Sequence, residues 1–441
     1  MTKKKPSVAD PSGSDFVGGE GRALALEIFD EVRRMSPDVE GVSRPAFSQV
    51  ETAVLDYLDG IARRHGLVTW RDAGANLMIA RPGDTDRKAR HGLLGSHVDS
   101  VPQGGNYDGL AGVVTALLAL IAMERDGVST PLPIRVIALR GEESAFFGHA
   151  YMGSKALFGM LDAKALAAKS SLDGRSMGEA MAACGIDGAR VEKGEKLVDR
   201  ERIAFFLELH IEQGPLLIDR DWPIAAVTGI RGNIRHREIR CIGEAGHSGA
   251  VPRWLRKDAV MATADLLIRM DEHWNVIQQH GGDLVMTTGV FHTNPGNNAM
   301  SRIASETTFS FEARSQQAMT LRAIEGLLHS ECEIIQRDRG VRFVFDEPVY
   351  SKEAFLDEAI VEALKVACEA EDLPAETVPS GAGHDAAVFS QAGIRSGMLF
   401  VRNAHGSHNP HEAMEIDDML QGVRVFRRAA VALAVAEQAG D

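Results

Sequence analysis

The chain has 441 residues, 44% of them hydrophobic, and a formal net charge of −14 at pH 7. That length exceeds what one core normally fills, so it calls for two domains or one large domain with an insertion. The acidic surplus excludes a nucleic-acid binder, which needs a basic face, and no run approaches the roughly 20 apolar residues that cross a membrane.

Residues 1–18 open basic, turn polar with Pro, Gly and Ser, and lack the apolar stretch of a signal peptide, so a disordered lead is expected there. Residues 22–36 and 48–65 have helical spacing, the second with Ser48 as N-cap. Residues 66–81 read as two short strands about a turn. In HGLLGSHVDSVPQGGNYDGLAGV (91–113) an apolar run stops at His97 and Asp99 follows two residues later. A Gly-rich turn comes next, and Asp108-Gly109 opens a helix over 108–126. Residues 133–139 suit a buried strand ending at Arg140-Gly141-Glu142-Glu143. Residues 160–190 read as Ala- and Lys-rich helix with a Gly break. Residues 203–209 form another buried strand, ending at His210.

From Trp222 the texture changes. Residues 224–343 read β-β-α-β-β-α-β, with helices over 256–272 and 319–337, which predicts an α+β unit inserted into an α/β domain made of 19–223 and 344–441. After Pro348 come a helix over 356–369, the loop PSGAGHDA, a helix over 385–391, the strand SGMLFV, and HGSHNPHE before a closing helix. Trp222 and Trp254 are read as packing residues, and His236 and His292 as structural or exposed. The cysteines Cys184, Cys241, Cys332 and Cys368 stand far apart with no C-x-x-C pair, which argues against a disulfide framework and for thiols in a reducing cytoplasm.

Four strand ends carry metal-type side chains: His97 with Asp99 and Asp108, Glu142-Glu143, His210, and His408. Singly each is weak, because a lone His at a strand end is usually structural and a Glu pair usually solvated. Each, however, follows a run that suits a strand of one sheet, and side chains beyond the carboxyl ends of such strands converge on one crevice. Imidazole and carboxylate suit zinc, manganese, cobalt or nickel. Asp108 is the candidate bridge between two ions. Adjacent residues on an extended segment point to opposite sides, so Glu142 and Glu143 can hold different roles.

SHVDSVPQGGNYDG, GEES, LELHIEQGP, GHSG followed by Pro252, PSGAGHDA and SHNPHE together resemble the N-carbamoyl-L-amino-acid hydrolase, β-ureidopropionase and allantoate amidohydrolase family, in the right order from about residue 20 onward. The resemblance implies a three-layer α/β metallopeptidase-like catalytic domain with an inserted ferredoxin-like lid that also dimerises. It implies two divalent ions, one held by His97, Asp108 and His210 and the other by Asp108, Glu143 and His408. It makes Glu142 the general base working on a hydroxide that bridges the ions, with Asp99 orienting His97. It puts Gln213, and His384 with Gly383 in a glycine-rich loop, beside the substrate. His247 would reach the partner subunit's site and polarise the scissile carbonyl, and Arg314 would clamp a substrate carboxylate.

The departures from the family pattern fall away from the metal ligands. Ser301 stands where the family has a substrate-binding Asn, thirteen positions before Arg314, with Asn298 as a possible substitute; Arg253 and His405 are also unusual. The expected reaction is hydrolysis of an N-carbamoyl-L-amino acid to amino acid, ammonia and carbon dioxide. The alternatives are an allantoate or other ureide amidohydrolase, an aminoacylase or dipeptidase, and a non-catalytic binding protein on the same fold.

Overall fold

A computed structural model describes residues 15–439. The chain packs as two compact units, one formed by the residues up to Thr228 and from Leu356 onward, the other by Gly229–Phe355. Residues 1–14 of the expected lead lie outside the described residues. Asp15–Gly18 do not continue that lead: they form a helical turn whose Phe16 and Val17 are buried in the core.

The first unit is built on a mixed sheet. Its strands run in the order Val68–Arg71, Leu77–Ala80, Ile134–Leu139, His91–His97, Ile203–Ile211, Ser396–Val401, Ile224–Ile230. The middle four are parallel and the outer pairings antiparallel. The parallel strands are buried throughout, as both faces of such a sheet require. Alternation along Ile203–Ile211 shows the two faces. Phe205 and Leu207 join the core under helices Leu110–Arg125 and Ile416–Ala439, while Phe206 stacks on Phe389 of helix Asp385–Gln391, ring centroids 3.9 Å apart. The result is the expected three-layer α/β arrangement.

Helix Leu110–Arg125 must lie close to the sheet, and Gly112 permits it: a Cβ there would stand 2.0 Å from the carbonyl oxygen of Leu209. The region read as one Ala-rich helix over 160–190 is instead a series of short helices, Ala163–Leu166, Met177–Ala183 and Gly188–Glu192, each begun by its own Asp or Ser cap. Those caps satisfy helix-end N–H groups and favour restarts over one continuous helix.

The second unit is a β-α-β-β-α-β fold. Strands Gly232–Ile242, Glu306–Ser315 and Arg342–Phe345 pair antiparallel, and Val285–Thr287 and Phe291–Thr293 together flank Glu306–Ser315. Along Glu306–Ser315 burial alternates residue by residue. The inward set packs under helices Ala259–Gln279 and Ala318–Arg339, giving one covered and one wetter face. Strand Ile224–Ile230, assigned to this unit from its sequence, pairs with Ser396–Val401 of the first sheet instead; a short apolar run reads alike in either setting. At the other end Val349–Ser351 pairs with Gly232–Ile242, beyond the expected limit at 343. Trp254, read as a packing residue, is 83% exposed. Among the described residues no helix is long and apolar enough to cross a membrane.

Strand His91–His97 begins with a buried histidine. His91 Nδ1 lies 3.0 Å from the carbonyl oxygen of Ala89 and 3.2 Å from Arg135 Nη1. Burial first, then the Arg135 charge, push its pKa down to about 4 from 6.5. The unfolded chain therefore binds a proton near pH 6.5 that the folded chain refuses until about pH 4. Stability present above that range is lost as pH falls through it. His91→Asn is expected to remove up to about 3 kcal/mol of this acid loss. Thermal melts would show a shallower fall of Tm across the window; parallel curves for the two proteins would contradict the assignment.

Candidate metal centre

The carboxyl ends of the parallel strands bring the marked side chains to one place, as open α/β sheets do. His97 is the last residue of its strand and His210 the penultimate residue of Ile203–Ile211. Asp108 and Gly109 precede helix Leu110–Arg125. Glu142 and Glu143 follow Ile134–Leu139. Their turn is anchored from below by buried Glu51, which accepts from Arg140 Nη1 (2.6 Å), Phe47 N (2.8 Å) and Gly141 N (3.0 Å). His408 comes from the loop after Ser396–Val401, with positive φ.

Around Asp108 the distances are those of a ligand shell. Asp108 Oδ1 is 3.1 Å from His210 Nε2 and 3.4 Å from His97 Nε2, and those two nitrogens are 3.3 Å apart. Asp108 Oδ2 is 3.4 Å from His408 Nε2, which is 3.3 Å from Glu143 Oε1. Two ligands each about 2.0–2.1 Å from a tetrahedral ion stand roughly 3.3 Å apart. His97, Asp108 and His210 form one group able to hold an ion, and Asp108, Glu143 and His408 a second.

The tautomers make the case chemically. His97 Nδ1 donates to the carbonyl oxygen of Asp99 (3.1 Å), and His210 Nδ1 to that of Ile211 (2.9 Å). In the neutral rings both Nε2 atoms therefore carry lone pairs, and they face each other and a carboxylate. A cation between them resolves that conflict, so this donor set fits divalent metal. The neighbouring carboxylates favour positive charge at these rings. Burial would lower His97, but Asp108 and Asp99 raise it well above the ordinary histidine range; His210 is raised by Asp108 against the same burial. Burial drives Glu142 well above the ordinary carboxylate range, with Glu143 and Asp385 adding to it against the opposing pull of His97.

Asp99 accepts from the backbone N–H of Glu142 through Oδ1 and of Glu143 through Oδ2, both at 3.0 Å. Its carboxylate is also 3.4 Å from His97 Nδ1. It thus ties two of the strand ends together. Gln213, at φ 63°, donates from Nε2 to Asp108 Oδ2 (2.8 Å), and its Oε1 is buried without a hydrogen-bond partner.

Several residues that shape the centre escaped the sequence reading. Glu412 accepts from the N–H of Tyr107 (2.8 Å) and Asp108 (3.1 Å) and from Ser407 Oγ (2.8 Å), while Ser407 also bonds Asp108 Oδ2. Burial raises Glu412 to about 7. Glu208 accepts from Ser96 Oγ (2.7 Å) and Ala386 N (2.8 Å). Asp385 accepts from Ser154 Oγ (2.5 Å), and its Oδ2 is buried without a partner. Glu412 lies inside the motif SHNPHE, but nothing in that spacing announces a bond to residues 304 and 305 positions away.

The other marked residues fall differently. His384 is buried behind His210, ring centroids 4.4 Å apart, with Nε2 2.9 Å from Ser380 Oγ; burial holds it well below the ordinary histidine value, so it is neutral. A Cβ at Gly383 would overlap the Tyr151 hydroxyl at 1.5 Å, so only glycine fits there. His405 is exposed with φ 66°. His247, Asn298, Ser301 and Arg314 belong to the second unit. There His247 is exposed and pairs with Arg302 in a two-residue ladder. Asn298 Nδ2 donates to Thr293 Oγ1 (2.7 Å), Ser301 is exposed, and Arg314 Nη2 lies 3.0 Å from Glu312 Oε1.

A parallel sheet with imidazoles and carboxylates gathered at its carboxyl ends is the architecture of a metallohydrolase. The chain belongs to the peptidase family M20/M25/M40, whose model matches residues 93–432, and members of that family are metal-dependent hydrolases. It is 32% identical over 398 residues to the N-carbamoyl-L-amino acid amidohydrolase of Geobacillus stearothermophilus, covering 90% of this chain and 94% of that one. It is 30% identical to the allantoate amidohydrolase of Escherichia coli, covering 82% and 85%. The crystal structure of a hydantoinase/carbamoylase family amidase from Burkholderia ambifaria superposes with a TM-score of 0.82 at 28% identity, covering 94% of this chain and 96% of that one.

Gly109, at φ 65°, lies against the His97 ring: a Cβ there would stand 2.4 Å from its Nδ1, Cε1 and Nε2 atoms. Gly109→Ala is expected to push His97 out of place and to weaken metal retention by at least about 10-fold. Metal content after gel filtration measures this, and wild-type content in the variant would contradict it.

Proposed function

We propose that this protein hydrolyses a linear C–N amide bond, namely the ureido group of an N-carbamoyl-L-amino acid, releasing amino acid, ammonia and carbon dioxide. The observation that carries this reading is the double ligand cluster around Asp108, with the Glu142 carboxylate 4.0 Å from His97 Nε2. The Geobacillus stearothermophilus relative, named for N-carbamoyl-L-amino acids, supports the same substrate class.

On this reading His97, Asp108 and His210 hold one divalent ion and Asp108, Glu143 and His408 a second, drawn from zinc, manganese, cobalt or nickel. Bound there, the ions would supply a water of lowered pKa and a Lewis acid at the scissile carbonyl. The Glu142 carboxylate takes the proton of the attacking water and returns it to the leaving nitrogen. Asp99 holds the backbone of Glu142 and Glu143 and so fixes where that carboxylate stands. The unpartnered Oε1 of Gln213 can accept from a ureido N–H.

For the second unit the support is the family resemblance. His247 donates to the carbonyl oxygen as it gains charge, Arg314 binds the substrate carboxylate, and Asn298 or Ser301 takes the place of the family's asparagine. The resemblance also supports a homodimer formed through this unit, and the apolar Met261 and Ile268, 53% and 61% exposed on helix Ala259–Gln279, suit a covered face. Four free cysteines suit a cytoplasmic protein. The second reading, allantoate or another ureide as substrate, is favoured by the Escherichia coli relative.

The deciding experiment assays ammonia release from N-carbamoyl-L-amino acids, allantoate and N-acyl amino acids with each of the four metals. Preference for the carbamoyl compounds is expected, and activity confined to allantoate would replace this reading with the second. Glu142→Gln should lower kcat by about 100- to 10,000-fold with metal content unchanged; near wild-type turnover would remove it as the base. Arg314→Ala should raise KM by about 10-fold or more for carboxylate-bearing substrates alone. Equal losses on a neutral amide would rule out the clamp.

A further inference from the structure

The second unit contains a histidine that its fold does not explain. His236 occupies an inward position of strand Gly232–Ile242, on the face that Ile234 shares, and its side chain is 2% exposed. Its Nδ1 lies 3.0 Å from Asp346 Oδ1, and the Asp346 Oδ2 accepts from the N–H of Arg237 (2.9 Å) and Glu238 (3.2 Å). Asp346 is thus fixed by backbone. It accepts the Nδ1 proton of His236 and leaves the lone pair on Nε2 in the neutral ring. That Nε2 is buried and has no hydrogen-bond partner. An orphaned buried acceptor is costly, whereas the other polar side chains of this covered layer, such as Thr263 and Thr307, bond each other (2.6 Å).

Two further donors stand in front of it. Glu325 and His329 are four residues apart on helix Ala318–Arg339, so they share a face. One ligand atom from each of His236, Glu325 and His329 lies within 4.8 Å of the others. The Tyr350 hydroxyl donates to Glu325 Oε1 (2.5 Å) and steadies the carboxylate, whose second oxygen remains to be offered. The Phe345 ring flanks both imidazoles, with centroids 5.3 Å from His236 and 4.3 Å from His329. His329 is exposed and Glu325 half-buried, which gives an ion a way in.

We propose that the second unit carries a metal site of its own, in which His236 Nε2, Glu325 and His329 bind one first-row divalent cation of the zinc class, with water completing the shell. Small rotations of the two helix side chains close the donors to the roughly 2.0–2.1 Å that such an ion needs. Asp346 acts as the outer carboxylate that fixes the tautomer and orientation of a ligating histidine. A set of two imidazoles and one carboxylate without thiolate matches zinc, cobalt or nickel and disfavours calcium and magnesium. The ion joins the central strand of this unit to one of its two helices, and binding only the folded form, it stabilises that packing. All of its ligands differ from those around Asp108.

The test is zinc titration of the full-length, metal-stripped protein by calorimetry, comparing wild type with His329→Gln and Glu325→Gln. Both substitutions fall on the outer part of a helix, and equal melting temperatures in chelator establish that the variants fold. The readout is the difference in bound equivalents, so it stands whatever number of ions the Asp108 centre holds. Each variant is expected to lose one equivalent. Asp346→Asn, which keeps all three ligands, should retain that equivalent with about 10- to 100-fold weaker affinity. Identical stoichiometry and affinity in wild type, His329→Gln and Glu325→Gln would overturn the proposal.

Discussion

The first unit is arranged around one electrostatic conflict. Asp108 is buried between two imidazoles whose Nε2 lone pairs face each other at 3.3 Å, with a third imidazole on its other oxygen. Lone pairs and carboxylates brought together in low dielectric repel, and only positive charge, as protons or as metal, relieves them. Much of the local structure serves to hold this arrangement in place. Asp99 ties the Glu142-Glu143 turn to the His97 strand end, Glu51 with Arg140 anchors that turn from below, and Glu412 grips the two N–H groups leading to Asp108. The backbone accommodates it with a glycine at φ 65° against the His97 ring and with His408 itself in the left-handed region.

The two units manage charge differently. The parallel sheet is buried on both faces, so its polar groups are confined to strand ends, and a site there collects ligands from distant parts of the chain. The antiparallel sheet of the second unit has a wetter face, along which ion pairs such as Arg235–Glu312 and Arg240–Glu306 sit. Against that background an imidazole on the covered face, fixed by a carboxylate yet with its other nitrogen unpartnered, stands out. Its sequence surroundings, in IRHREIR, look like an ordinary strand, which is why His236 reads there as structural.

Local pattern carried much of the architecture. Apolar runs marked Ile134–Leu139 and Ile203–Ile211, and 3.6-residue spacing marked the helices at Gln49–Arg64 and Ala318–Arg339, because burial on a sheet or under a helix imposes its period on the residues. It failed where context decides. Ile224–Ile230 belongs to the first sheet although it adjoins the second unit, and the Ala-rich stretch from 160 to 190 breaks at its Asp and Ser caps. The candidate ligands that the structure brings together were legible to a similar depth. His97, Asp108, Glu143, His210 and His408 could be marked because each ends or follows a buried run, and Glu142 because it adjoins Glu143.

What the sequence determined by itself was therefore the set of polar residues stationed at strand ends and the period of the elements that present them. Only the tertiary structure decided which lone pairs face one another, since that depends on strand order and on hydrogen bonds at each ring's far nitrogen. It decided that Glu412, Glu208 and Asp385 surround the centre, that His384 is buried behind His210, and that His236 meets Glu325 and His329. Those relations join residues tens to hundreds of positions apart, and no spacing along the chain encodes a distance that arises only when sheets and helices pack.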